Sequence, residues 1–180
     1  MERADKGLAF MMQYENVAWY DSGEVRILDR RVYPRRVEFV TCRTYEEVTQ
    51  ALRDMVTQST GPFTAAAMGM ALAAYQCRHM AAAQQVAYLE RAMDTISHAR
   101  PTTVGRMQLI CGGCLEAARA AIEKGVPDVA LAIRDYTVAT NNRRYNRVGQ
   151  MAKHLVDKFP DNGTVMTQCF GETIVAMMLK

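Results

Sequence analysis

Cys169 is the residue of this sequence whose type and position best suit chemistry. It ends a short run of β-forming residues, 164–169, and Gly171 and a helix-capable segment follow it. At the start of a helix, the helix dipole and the unpaired N–H groups lower the pKa of a thiol and favour the reactive thiolate. Cysteine is also a common buried residue, so the position alone leaves a reactive and a structural role open.

Two other cysteines, Cys111 and Cys114, have the CxxC spacing. No second pair of this kind and no paired histidines accompany them, which argues against a four-ligand zinc site. No βαβ pattern surrounds them, as a thioredoxin-like redox motif would require. The odd total of five cysteines also argues against a disulfide framework. We interpret both residues as small hydrophobic side chains on a helix face, and we expect no metal site.

Arg143, Arg144 and Arg147 form a basic run inside a long predicted helix. Such a run usually lies on a solvated face. The alternative is a contact with a partner domain or with an anionic substrate, for which a planar guanidinium with several donors is well suited. The spacing of the three arginines does not decide between these interpretations.

The elements that must position these residues begin with a small sheet. Residues 17–28 have a hairpin pattern with a glycine-containing turn, and residues 37–42 predict a third strand. Thr44 followed by Glu47 predicts a helix N-terminus with a capping box. We expect that helix to end near Thr57, where Gly61-Pro62 then breaks the chain.

A helical bundle is predicted to follow the sheet. Residues 64–97 indicate two helices with a break near residues 80–84, and the many small residues of 65–74 favour tight packing over close approach to a ligand. A second break at 100–102 precedes a helix of residues 104–124, which Gly125 stops. Pro127-Asp128 is predicted to open a last helix, with the proline as an early helical residue, that runs to about Lys158.

The end of the sequence changes character. Residues 164–180 show a strand, a glycine turn and a helix start, which is the beginning of a βα unit. One parallel strand would leave its backbone groups unpaired, so we interpret the chain as a fragment or as one chain of a split protein. The predicted fold is therefore mainly α (α+β), with residues 1–159 forming a small antiparallel sheet plus a helical bundle and residues 160–180 starting a truncated Rossmann-like domain.

Composition narrows the class of protein. The chain has 180 residues, of which 49% are hydrophobic, and a formal net charge of only +3, which does not favour direct binding to nucleic acid. The charged start of the sequence is not followed by the apolar core of a secretory signal. The longest apolar stretch, residues 65–74, is too short to span a membrane. We expect a cytoplasmic protein without a membrane partner.

The order of several motifs resembles one protein family. Residues 164–173 (TVMTQCFGET) resemble the Leu-Thr-His-Cys-Asn-X-Gly segment of the methylthioribose-1-phosphate isomerases. That family also includes ribose-1,5-bisphosphate isomerases and the regulatory subunits of translation initiation factor 2B. Further landmarks fall in the family's order over nearly the whole chain: the hairpin 19–29, the segment 54–74, Arg100-Pro101-Thr102, and Asn146-Arg147-Val148-Gly149.

This resemblance implies the isomerisation of a phosphorylated sugar from an aldose to a ketose, with no metal and no cofactor. In the family, a cysteine and an aspartate move a proton between C2 and C1 of the open-chain sugar. Cys169 matches that cysteine. Arg100, Ser59 and Gly61 match substrate-binding positions, and an arginine such as Arg100 would hold phosphate or hydroxyl groups. The implied partners are the phosphorylated sugar, and further copies of the chain or a second chain that carries the C-terminal domain.

Departures from the family pattern keep a second function open. The family's arginine before Gly-Ala-Pro aligns with Ser59, the residues beside the cysteine are Gln168 and Phe170, and the aspartate would lie downstream of residue 180. Lost phosphate contacts and a missing acid/base group each reduce a rate by orders of magnitude, so we expect the 180 residues alone to be inactive. The second hypothesis is a non-catalytic subunit, similar to those of initiation factor 2B, that binds a sugar phosphate or nucleotide or only assembles with partners.

Overall fold

The N-terminal sheet has three antiparallel strands. The computed structural model describes residues 3–166 and 171–179. A 3-10 turn (Phe10–Met12) and the short helix α1 (Tyr14–Val17) lead into β1 (Ala18–Asp21), β2 (Glu24–Leu28) and β3 (Phe39–Cys42), which pair in the order β1-β2-β3. Ser22 and Gly23 both have positive φ, 48° and 87°, as the tight turn of a two-residue hairpin requires. The predicted hairpin and third strand are confirmed.

Helix α2 (Tyr45–Arg53) begins where the sequence predicted. The Thr44 hydroxyl accepts a hydrogen bond from the Glu47 N–H at 3.2 Å, which satisfies one of the free donors of the first turn. The Glu47 carboxylate accepts from the Arg43 N–H at 2.5 Å, one residue before the cap. The predicted end near Thr57 is wrong, because the chain leaves the helix at Asp54 and Met55 takes a positive φ of 57°.

The two central helices are α3 (Gly61–Gln76) and α4 (Ala82–Ser97). The predicted break between them is confirmed at residues 77–81. Gly61-Pro62, however, does not separate α3 from what precedes it but forms its first turn. Proline is tolerated there because its missing N–H would have no partner within the helix in any case.

A 3-10 turn (Pro101–Thr103) leads into α5 (Val104–Glu123), and Gly125, with a φ of 65°, follows its end. The helix α6 (Val129–Val156) then begins at Asp128, whose carboxylate accepts from the Leu131 N–H at 2.9 Å. The predicted opening at Pro127-Asp128 is confirmed, but Pro127 is not a helical residue, because the Asp128 cap places the first turn after it. The helix also ends two residues before Lys158.

The last described element is α7 (Glu172–Met178), which packs against α6. It confirms the helix that was predicted after Gly171. Thr164, Val165 and Met166 belong to no helix or strand. Cys169 and the rest of the predicted strand lie outside the described residues, so the strand stays a prediction. In the part of the chain that the structure describes, no helix has both the length and the apolar composition needed to cross a membrane.

Helix α3 lies at the centre of the core. It packs against α2, α4, α5, α6 and the sheet, and all of its residues except Phe63, Tyr75 and Gln76 are buried. The small side chains allow this close approach: a Cβ at Gly69 would lie 3.0 Å from Val48 Cγ1 and 3.3 Å from Ile96 Cδ1. Tight packing is thus the role of the small residues in this helix.

A second, smaller apolar cluster holds the N-terminal segment against α6 and contains Leu8, Met12, Tyr14 and Tyr145. Asn142 of α6 accepts hydrogen bonds from the Ala4 N–H at 3.0 Å and from the Tyr14 hydroxyl at 2.7 Å.

The carboxylate of Asp5 completes the attachment of the N-terminal segment. It accepts from Arg3 at 2.9 Å and from the Tyr14 N–H at 2.8 Å, while Arg3 also pairs with Glu15. Burial alone would raise the pKa of Asp5, but these hydrogen bonds outweigh it and hold the pKa below its ordinary value.

Candidate anion-binding site

Ser59 and Gly61 lie at the turn that enters α3. Ser59 is exposed and has a positive φ of 55°, and Gly61 is the buried first residue of the helix. A Cβ at Gly61 would collide with the hydroxyl of Thr57, so packing alone requires a glycine here. Their role in substrate binding stays a prediction.

Arg100 precedes the 3-10 turn at the start of α5 in an extended conformation. Its carbonyl accepts from the Thr103 N–H at 3.2 Å, and its side chain is half-buried. Its guanidinium forms no hydrogen bond or ion pair with any residue in 3–166 or 171–179. Arg100 lines neither the cavity beside Thr60 and Gly61 nor the cavity that contains Arg144. Cys169 lies outside the described residues.

Four arginines line one cavity between α3, α5 and α6. Its volume is about 380 Å³, within the range of about 300–1,000 Å³ that is common for ligand pockets. No described aspartate or glutamate lines it. The arginines are Arg106, Arg143, Arg144 and Arg147, and the other lining residues are Phe63, Ala67, Leu109, Ile110, Cys114, Tyr136, Thr137, Thr140, Asn141 and Val148.

Helical spacing explains why these side chains meet. Tyr136, Thr140, Arg143, Arg144 and Arg147 share a face of α6, because each of them lies three or four residues from another member of the set. On α5, the first-turn residue Arg106 is aligned in the same way with Ile110 and Cys114. The α3 wall comes from Phe63 and Ala67, one turn apart.

The cavity arginines have few partners. Arg143 Nη2 donates to Thr140 Oγ1 at 2.9 Å, and Arg144 Nη2 lies 3.5 Å from Thr60 Oγ1. The guanidinium of Arg106 lies 5.9 Å from the centre of the Phe63 ring. Across the described ranges, none of the four arginines is paired with a carboxylate.

The electrostatics of this cavity favour an anion. The Nε of Arg144 is buried and has no hydrogen-bond partner, a situation that costs about 1–3 kcal/mol for a buried donor. Arg106 lies in the first turn of α5, where the helix dipole disfavours a cation. Sequence reasoning identified Arg143, Arg144 and Arg147 but missed Arg106, which is distant in sequence and joins them only through the packing of α5 on α6.

Cys111 and Cys114 are both buried in α5. Burial raises the pKa of Cys111 to about 12 and raises that of Cys114 further, so neither carries a thiolate near neutral pH. Among the residues that the structure describes, no group of three or more His, Cys, Asp and Glu side chains could hold a metal ion. The interpretation of this CxxC pair as two small hydrophobic residues is confirmed.

Comparison with known proteins identifies relatives in sequence, although no protein-family model matches the chain. The methylthioribose-1-phosphate isomerase of Roseiflexus sp. (strain RS-1) is 30% identical over 155 residues, which are 84% of this chain and 44% of that enzyme. The corresponding isomerase of Caldanaerobacter subterraneus subsp. tengcongensis is 29% identical over 157 residues, which are 83% of this chain and 44% of its own. The chain thus spans less than half the length of these curated relatives.

Solved structures show the same fold. A translation initiation factor eIF-2B delta subunit from A. fulgidus superimposes with a TM-score of 0.64 at 24% identity, over 78% of this chain and 41% of that one. The 5-methylthioribose 1-phosphate isomerase from Pyrococcus horikoshii superimposes with a TM-score of 0.65 at 19% identity, over 81% and 41%. The resemblance that the order of the motifs predicted is therefore confirmed, and the chain is a homologue of the methylthioribose-1-phosphate isomerases with the fold that they share with an initiation factor 2B subunit.

Proposed function

We propose that this chain takes part in converting a phosphorylated aldose, methylthioribose 1-phosphate or a related pentose 1-phosphate, into its ketose. The observation that carries the proposal is the 30% identity, over 155 residues, with a protein named methylthioribose-1-phosphate isomerase. Because the chain spans 44% of that relative, the remaining part of the fold would come from the same polypeptide or from a partner chain.

The reaction itself requires no net oxidant. The bond between C1 and the ring oxygen opens, the hydrogen on C2 ends on C1, and the proton of the C2 hydroxyl ends on the former ring oxygen, so C2 becomes the ketone. In our proposal Cys169 is one of the two acid/base groups and an aspartate outside this chain's 180 residues is the other. Arg100 and the turn of Ser59 and Gly61 would hold phosphate or hydroxyl groups of the sugar.

A non-catalytic role is the second candidate. The observation that favours it is Ser59, which stands where the family that the sequence resembles has an arginine. An uncharged residue at that position removes a bidentate phosphate contact and weakens the case for turnover. A protein of this kind would bind a sugar phosphate or nucleotide, or assemble with partners, without converting its ligand.

An activity assay with the protein as expressed from its gene distinguishes the isomerase from the non-catalytic role. We expect ³¹P NMR to show methylthioribose 1-phosphate converted to the ketose 1-phosphate. Cys169→Ser should lower the rate about 10²–10⁴-fold, because a positioned acid/base group contributes that much. Cys42→Ala, a change at a buried cysteine of β3, is the matched control and should keep the rate.

Equal turnover in Cys169→Ser and the wild-type protein would remove Cys169 from the mechanism. A wild-type protein that binds the sugar phosphate and leaves it unchanged would favour the non-catalytic candidate.

A further inference from the structure

We propose that the cavity between α3, α5 and α6 is a phosphate subsite, in which Arg144 and Arg147 bind the phosphate group of a phosphorylated sugar and Arg106 and Arg143 complete the positive wall. That the ligand is a sugar phosphate rests on the proposed function. That the ligand carries a phosphate group rests on the side chains of the cavity.

Charge is the first argument. Four guanidinium groups line about 380 Å³, and no carboxylate of the described chain lines that space with them. Elsewhere in the molecule Arg31, Arg36 and Arg119 each pair with a carboxylate. Like charges around one cavity repel one another, although water and salt weaken the repulsion at the exposed Arg106, Arg143 and Arg147, and a bound dianion relieves it.

Donor geometry is the second argument. The Nε of Arg144 is buried without a partner, and its Nη2 has only the long 3.5 Å contact with Thr60 Oγ1. One edge of a guanidinium carries Nε and one Nη in a rigid fork that matches two oxygens of a phosphate. A turn of the Arg144 side chain that brings this edge to the cavity would give the buried donor a phosphate oxygen as partner and replace the long contact by two charge-assisted hydrogen bonds.

The cavity walls are the third argument. Phe63, Tyr136, Ile110 and Val148 supply apolar surface, and Thr140 supplies a hydroxyl among the arginines. Apolar walls strengthen those charge–dipole contacts that they shield from water. A partly open cavity of this volume, with apolar walls and several polar groups, is suited to a small ligand such as a pentose phosphate.

One arginine of the cavity also contacts the turn that the family resemblance assigns to the substrate. Arg144 contacts Thr60, which lies between Ser59 and Gly61. Position 59 holds no arginine in this chain, and Arg144 brings a guanidinium from α6 to the neighbouring residue. Arg144 therefore brings, from a different helix, the kind of group that the turn itself lacks.

Calorimetric titration with ribose 5-phosphate, inorganic phosphate and ribose tests the proposal. The wild-type protein should bind both phosphates, with affinity falling as salt increases, and should not bind ribose. Arg144→Gln should weaken binding of ribose 5-phosphate at least about 10-fold, the factor that about 1.4 kcal/mol represents. Arg144→Lys should be intermediate, because it keeps the charge and loses the fork.

Arg119→Gln is the matched control, since Arg119 pairs on the surface with Glu90 and Glu116, outside the cavity. It should bind ribose 5-phosphate as the wild-type protein does. The proposal is overturned if the wild-type protein binds neither phosphate, if Arg144→Gln binds as well as wild type, or if Arg119→Gln is weakened to the same extent.

Isomerase assays keep this proposal separate from the proposed function. Loss of phosphate binding in Arg144→Gln, together with a wild-type protein that does not convert the sugar, supports the subsite and contradicts the isomerase. Turnover with an unchanged KM in Arg144→Gln supports the isomerase and contradicts the subsite.

Discussion

Helices α3 and α6 run through the same bundle and are in contact with each other, but their side chains differ in kind. Helix α3 has no charged residue. Nearly all of its residues, which are mostly alanine, methionine, leucine and glycine, are buried. Helix α6 carries charged residues along its length, and its buried positions include Thr137, Asn141 and Asn142.

The difference shows how one bundle separates stability from binding. Small apolar residues on α3 let four helices and the sheet approach closely, which buries surface and stabilises the fold. On α6, Asn142 and Tyr145 hold the N-terminal segment, while Arg143, Arg144 and Arg147 point into the cavity. Groups of like charge around a cavity do not stabilise the folded state. A local loss of stability of this kind is typical of functional sites.

The largest effect should come from the core of α3. Leu72 is fully buried, so Leu72→Ala should lower the free energy of unfolding by about 2–5 kcal/mol through lost burial and the cavity left behind. Urea denaturation monitored by circular dichroism measures this change. Met151→Ala on α6, where the side chain is 55% exposed, is the control and should change stability by less than about 0.5 kcal/mol. Similar losses in both variants would contradict the central place of α3.

An intermediate effect is expected where the N-terminal segment docks on α6. Hydrogen bonds, chiefly from Arg3, hold the pKa of Glu15 below its ordinary value of 4.5, and that of Asp5 is held below its ordinary value of 3.8. A depressed folded-state pKa gives stability that is present above the ordinary value and is lost as the pH falls through the folded-state value. The wild-type protein should therefore lose stability progressively below about pH 4.5.

Asp5→Asn tests how much Asp5 contributes to the predicted loss of stability in acid. It should lower stability at pH 7 by about 1–3 kcal/mol, because charge-assisted hydrogen bonds are lost, and it should flatten the pH dependence. Thermal unfolding between pH 3 and pH 7 measures both quantities. Asp161→Asn, in an exposed loop, should leave the curve unchanged. A curve for Asp5→Asn that is parallel to that of wild type would show that Asp5 does not contribute to the acid effect.

The smallest effect concerns the cavity face of α6. Arg147 is exposed and has like-charged neighbours, so Arg147→Gln without ligand should leave stability unchanged or raise it by up to about 0.5 kcal/mol. Arg119→Gln, which loses two surface ion pairs, should lower stability by about 0.2–1 kcal/mol. Both differences should shrink at high salt. A clear loss of stability in Arg147→Gln would mean that the arginine serves folding and not binding.

Local signals explain what the sequence predicted correctly. The turn at Ser22-Gly23, the cap at Thr44 and the stop at Gly125 depend on a few neighbouring residues, and the structure confirms all three. At Pro127 the prediction missed a local signal, the cap that the neighbouring Asp128 provides. Gly61-Pro62 was misinterpreted because proline both breaks a helix and opens one. Only the surrounding packing decides which of the two it does.

The cavity could be predicted only in part. The basic run of α6 was visible, but its two interpretations depended on whether α3 and α5 lie against the same face. Arg106 and Phe63 come from separate helices, and no local pattern connects them with Arg144. The docking of the N-terminal segment was missed for the same reason, since Arg3 meets Glu15 and Ala4 meets Asn142 only after folding.

The most direct test of the account observes the arginine side chains themselves. Nε–H resonances of the ¹⁵N-labelled protein, assigned with single Arg→Gln variants, can be followed as ribose 5-phosphate is added. The account predicts saturable shifts at Arg144 and Arg147, the largest at the buried Nε of Arg144, and none at Arg36 or Arg119. Unchanged resonances at Arg144 and Arg147, or shifts of equal size at Arg36 and Arg119, would contradict a phosphate site in this cavity.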